Sequence, residues 1–152
     1  MTLTWRNARL SDADDLFLWR NDKIARINSG NSDQITWDQH KKWLSSRVER
    51  QSTEPFFIFY CDSEPVGTAR YDLLIDAERS FEISLLVNPI FRNLGFGKRI
   101  LNESLVVVTN LFPENPVSAR ILPENSTSIR IFLASGFSLS EKKGKFLVFR
   151  KD

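Results

Sequence analysis

The sequence predicts an α/β protein whose mixed sheet is covered by helices on both faces. Three observations lead there. Apolar residues recur with helical spacing early in the chain, in strand-like runs through its middle, and with helical spacing again after residue 97. Segments with strand character outnumber helical ones but alternate with them late in the chain. The length of 152 residues, with 41% hydrophobic and 26% charged residues, suits one soluble domain over residues 1–152, and twelve Phe and four Trp supply bulky core material.

Residues 3–9 read as a short strand. Ser11 followed by Asp14 has capping-box spacing, and the stripe Leu16, Phe17, Trp19 then gives a first helix of about three turns. Residues 28–32 are small and polar, and form a loop. Thr36 with Gln39 repeats the capping signal and opens a second helix carrying Trp37, Trp43, Leu44 and Val48; helical spacing makes Trp19, Trp37 and Trp43 core residues. Residues 56–60 and 66–74 are the arms of a hairpin turning at 62–65, and 80–87 is another strand, closed by Asn88-Pro89. Ile100, Leu101, Leu105, Val108 and Leu111 stripe a long helix that Pro113 ends. A strand at 117–122, a helix at 126–135 stopped by Gly136, and a hairpin turning at 142–144 complete the order.

Charge excludes several classes of function. Lys and Arg number 21 against 19 Asp and Glu, with the signs interspersed, so no footprint for nucleic acid or an anionic membrane appears. A single Cys rules out an internal disulfide, a single His rules out multi-histidine metal sites, and no metal site is expected. Cys61 ends an apolar strand with no base nearby in sequence, which argues against a nucleophilic role. No apolar run approaches spanning length, and the acidic start around Asp12, Asp14 and Asp15 is unlike a targeting segment, so the expected location is cytoplasmic.

Chemistry concentrates in residues 87–99, where a strand end runs into Arg92-Asn93-Leu94-Gly95-Phe96-Gly97-Lys98-Arg99 and then a helix. Closely spaced glycines let the backbone approach an anion, and a first helical turn offers unpaired N–H groups in a favourable dipole. A nucleoside-triphosphate loop would need Gly where Arg92 stands and Ser or Thr after Lys98; a dinucleotide fingerprint would need Gly at Ile100. On the glycines alone, a turn joining strand to helix is as good a reading.

The pattern Arg92-x-x-Gly95-x-Gly97, with Asn125-x-x-Ser128 and the closing Gly136-Phe137, resembles the acetyl-CoA-binding motifs of the GNAT N-acetyltransferases, and the element order resembles their fold along essentially the whole chain. The resemblance implies a mostly antiparallel central sheet and acetyl-CoA as co-substrate. It implies a pyrophosphate held by backbone N–H groups from Leu94 to Arg99, a pantetheine arm paired with Leu85, Leu86 and Val87, a thioester carbonyl polarised near Val87, and contact from Asn125. Trp19-Arg20-Asn21-Asp22, Ile35 and His40-x-x-Trp43 are similar to amino-sugar nucleotide acetyltransferases of the PseH type. That likeness implies a small-molecule amine acceptor, a UDP-linked amino sugar in surface-polysaccharide or pseudaminic acid-type synthesis, touched by Arg20 and His40. Without it, Arg20 reads as a helix-face arginine and His40 as a capping or surface residue. Acetyltransferases of the RimJ/RimL type, which act on protein N-termini, share a similar helical start, and a homodimer is left open.

Direct transfer needs a base for the amine proton. Glu82, on the strand expected to pair with the donor, is the first candidate, with His40 and Glu124 behind it; Glu82 reads equally well as an outward-facing charge. Seven residues after Asn125, where many members of the family place a tyrosine that protonates the leaving thiolate, stands Phe132. Ser128, one helical turn earlier on a neighbouring face, offers a hydroxyl or a site for a water. The missing phenol keeps open a third reading, an acyl-CoA-binding regulatory module with weakened catalysis.

Overall fold

The computed structural model describes residues 2–75 and 78–151. Its strands are β1 Leu3–Asn7, β2 Phe56–Cys61, β3 Glu64–Ile75, β4 Arg79–Val87, β5 Val117–Ile121, β6 Ser138–Lys143 and β7 Phe146–Lys151. Its α-helices are α1 Ala13–Asn21, α2 Lys23–Asn28, α3 Trp37–Glu49, α4 Phe96–Leu111 and α5 Ser126–Ala134. Among the described residues, seven strands form one sheet in the order β1-β2-β3-β4-β5-β7-β6. Every junction is antiparallel except β4–β5. This is the mixed, mostly antiparallel sheet expected from the sequence.

Both faces of the sheet are covered, which is why β2 reads as an unbroken apolar run rather than an alternation. Phe57, Phe59 and Cys61 point into the larger core with Ile100 and Leu101 of α4 and Phe132 of α5. Phe56 and Ile58 point the other way, onto Leu16 and Trp19 of α1 and Leu44 of α3. A buried guanidinium pins α3 down: Arg47 donates to Asp72 Oδ1 at 2.9 Å and to the carbonyls of Glu54, Pro55 and Tyr71. No helix among the described residues is long and apolar enough to cross a membrane.

Several boundaries differ from expectation, each for a local reason. β1 stops at Asn7, and a 3-10 turn, Leu10–Asp12, precedes α1. Asp12, not Ser11, organises this entry: its carboxylate accepts the Arg9 amide at 2.8 Å and two bonds from Arg6, and a charged acceptor outcompetes a hydroxyl. The first helical segment is two helices, because Asp22 leaves helical backbone (ψ 138) and caps α2 by accepting the Ala25 amide. The first hairpin turns on Asp62 and Ser63 alone, both at positive φ, so Glu64 and Pro65 already belong to β3. Lys142 and Lys143 belong to β6, with the last turn at Gly144 and Lys145. Trp37 is not in the core: it is 38% exposed and meets Phe17 edge-on.

Candidate active site

The sheet opens at its one parallel junction. β4 and β5 pair only at Phe81 with Val117 and Glu82 with Ser118, yet β4 continues to Val87 and β5 to Ile121. The two strands part, and a cleft of about 580 Å³ lies between them, a size suited to a small-molecule ligand. Phe81 N–H donates to Pro116 on the β5 side, whereas Asn88 N–H donates to Val66 on the β3 side. Strand amides alternate in direction, so Leu85 and Val87 aim theirs toward the side that β5 vacates. Leu85, Leu86 and Val87 all line the cleft.

Where β4 ends, Asn93 and Gly95 take positive φ values of 63° and 84° and turn the chain into α4. Gly95 is the N-cap and gives no side-chain cap, so the amides of Phe96, Gly97 and Lys98 have no partner within the helix, whereas the expected free amide at Arg99 already donates to the Gly95 carbonyl at 3.4 Å as the first bond of the helix ladder. Nothing lies within 4 Å of where a Gly95 Cβ would stand. An open, uncapped helix start suits an anion. Asn93, Leu94, Gly95 and Lys98 are exposed, whereas Phe96 is buried in the core and Arg99 lies over its ring at 5.8 Å. Residues 93–99 stand outside the cleft wall, beyond its β4 end. Gly97 has a packing reason for its identity: a Cβ there would come 3.2 Å from Ile131 Cδ1 and 3.7 Å from Val87 Cγ2. Arg92 lines the cleft but sends its guanidinium to Asp22, at 2.5 Å.

The opposite wall comes from β3, α1 and the α2 region. Arg20 lies over the Trp43 ring, 3.9 Å from its centroid, and Arg70 over the same ring at 5.1 Å. Arg70 is tied to Asp72 at 3.0 Å and to Ser84 Oγ at 3.3 Å. Arg20 has no carboxylate partner among the described residues; burial, and then the charge of Arg70, push its pKa down to about 10. His40 does not reach the cleft. It is fully buried, with one ring nitrogen 2.8 Å from the Ala13 carbonyl and the other 2.9 Å from Arg20 Nη1. Direct contact with an acceptor, or proton transfer from one, is therefore replaced by a role behind Arg20.

Glu82 lines the cleft beside the point where the strands part, and Arg120 of β5 holds its Oε2 at 3.0 Å. Glu124 is exposed and lies outside the cleft wall. On the β5 side, Asn125 caps α5 by accepting the Ser128 amide at 3.2 Å, and Asn125, Ser128 and Phe132 all line the cleft. Phe132 is 3% exposed and packs edge-on against Phe137. The cleft thus gathers Arg20, Glu82, Leu85 to Val87, Arg92, Asn125, Ser128 and Phe132. Arg70 and Arg120 were missed by sequence reasoning; the only available signal was the strand register that sets Arg70 opposite Ser84.

Fold and site together define an α/β enzyme built around a split sheet. The model of the acetyltransferase (GNAT) domain family matches residues 2–138, and the chain belongs to that family. It is an acetyl-CoA-dependent N-acetyltransferase. Among solved structures it is similar to a ribosomal-protein-alanine N-acetyltransferase from Brucella melitensis (21% identity, 97% of this chain and 98% of that one, TM-score 0.79). It is also similar to the PaiA N-acetyltransferase from Thermoplasma acidophilum in complex with coenzyme A (15% identity, 99% of each chain, TM-score 0.73). A third is an N-acetyltransferase from Staphylococcus aureus Mu50 (19% identity, 99% and 96%, TM-score 0.75). At these identities the likeness is one of fold. No curated protein matches the sequence.

Proposed function

We propose that the chain acetylates a primary amine on a small molecule that also carries an anionic group, of which a UDP-linked amino sugar is the leading example. Arg20 carries this reading: a half-buried guanidinium with no carboxylate partner among the described residues lines the cleft, with Arg70 beside it on the same indole. Five arginines line the cleft against three carboxylates, Asp33, Asp72 and Glu82. Such an excess favours a diphosphate or other anion and disfavours the ammonium of a peptide N-terminus.

When bound, acetyl-CoA supplies an activated acetyl thioester. The backbone from Leu94 to Lys98 would hold its pyrophosphate, and the edge of β4 from Leu85 to Val87, with Asn125 opposite, its pantetheine arm. The amides of Leu85 and Val87 aim toward that edge, and the one at Val87 is placed to polarise a carbonyl there. Glu82, oriented by Arg120, accepts the amine proton. Trp43 and His40 hold Arg20 in place.

The test is coenzyme A release over UDP-amino sugars, neutral amines and peptides, repeated with Arg20→Ala. The expected pattern is preference for the anionic amines and a rise of about tenfold or more in their KM, with acetyl-CoA affinity unchanged. Preference for peptides, with Arg20→Ala neutral, would refute the reading.

A further inference from the structure

The Arg92 side chain leaves the turn that begins the donor motif and reaches Asp22, seventy positions earlier in the chain, at 2.5 Å. Each of the two side chains is 24% exposed. Asp22 has a second task, because its Oδ2 also accepts the Ala25 amide at 3.1 Å and so caps α2. α2 has no buried residue, so no core contact fixes its position. Polar ties hold it instead: the cap, the Arg92 pair, and Arg26 Nε on the Asn21 carbonyl at 3.0 Å. Yet Ile24, Ala25, Arg26 and Asn28 of this helix are part of the cleft wall on the acceptor side. One ion pair therefore joins the donor turn to a weakly anchored piece of the acceptor wall.

We propose that Arg92 and Asp22 are a positioning pair through which a phosphate-bearing donor at the turn orders α2 and so prepares the acceptor side. The proposal rests on the reading that the backbone from Leu94 to Lys98 holds the donor pyrophosphate. The physical basis is screening: a pair that is a quarter exposed is weakened by water and salt. A ligand lying against the turn shields Arg92 and restricts its side chain, and the restriction passes to Asp22 and the cap it maintains. Donor and acceptor then favour each other's binding, and the coupling is reciprocal.

Amide hydrogen exchange of residues 23–28 tests this, with coenzyme A as the probe and its affinity measured by calorimetry on the same preparations. Asp22→Asn removes the charge but keeps a good capping oxygen, so the helix keeps its start. Saturating coenzyme A is expected to slow exchange in this segment by about threefold or more in the wild type, and not in Asp22→Asn although that variant binds it. Equal slowing in Asp22→Asn, or no slowing in a wild type that binds, would overturn the proposal and leave the donor reading intact. Loss of binding in Asp22→Asn would make the pair part of the donor site itself and overturn it too. A wild type that binds no coenzyme A would refute the donor reading and the proposal together.

Discussion

The imidazole of His40 sits between the Ala13 carbonyl and the guanidinium of Arg20, 2.8 Å from the first and 2.9 Å from the second. A carbonyl can only accept, so Nε2 carries the proton and Nδ1 accepts from Arg20; the hydrogen-bond network assigns this tautomer. The arrangement works only with a neutral ring.

A pH dependence of stability follows. Burial, then the Arg20 charge, holds the His40 pKa below its ordinary value of 6.5. Between that value and the lower folded one, the unfolded chain binds the extra proton, so stability falls as pH drops below about 6.5, with a slope of at most about 1.4 kcal/mol per pH unit. The chain has no other His to titrate there. Urea unfolding of the wild type and His40→Asn from pH 7.5 to 5 checks this; an equally steep loss in the variant would assign the effect elsewhere.

Gly97→Ala should destabilise the protein without any ligand, by about 0.5–2 kcal/mol net, because its Cβ would press on Ile131 Cδ1 between α4 and α5 by more than the roughly 1 kcal/mol that Ala gains over Gly in a helix. Denaturant unfolding of the ligand-free protein measures it. A cost below about 0.5 kcal/mol would show that Ile131 yields and that glycine is kept there for another reason.

Glu82→Gln should lower the single-turnover rate by about 10²–10⁴ while leaving acetyl-CoA affinity unchanged. The amide is isosteric, so loss of the Arg120 charge pair should cost little in fold. A rate within a few-fold of wild type would move the base to another group or to water.

Phe132→Tyr adds one hydroxyl to a side chain in the cleft wall. A modest gain in single-turnover rate is expected if the new phenol reaches the leaving thiolate, to which it can donate a proton. A variant destabilised by about 1–3 kcal/mol, with no gain, would mean that the hydroxyl is buried unpaired and that Phe132 serves packing with Phe137.

What the sequence made legible was what local period and cap chemistry encode. The stripe of α4 is readable because Ile100, Leu101, Leu105 and Val108 all meet the same core, though Leu111, expected to close it, is exposed in the last turn, and the Thr36–Gln39 capping box forms as written. α2 was not legible, because its six residues bury nothing and leave no periodic trace. His40 shows a different limit: residue type conveys what an imidazole can do, but only long-range packing decides that Phe17, Trp37 and Trp43 enclose it. Arg70 and Arg120 enter the site through strand pairing, with Arg70 beside Ser84 and Arg120 two residues beyond the partner of Glu82. Nothing in their own neighbourhoods marks them.

The acetyl donor is expected to lie along the edge of β4 that β5 leaves free, with its pyrophosphate on the turn that opens α4. Amide NMR shift mapping during a coenzyme A titration tests it most directly. The largest shifts are expected at the amides of Leu94 to Lys98 and of Leu85 and Val87, with β1 and β6 nearly still. Saturable binding that leaves these amides unmoved and shifts a different surface would place the donor elsewhere on the molecule.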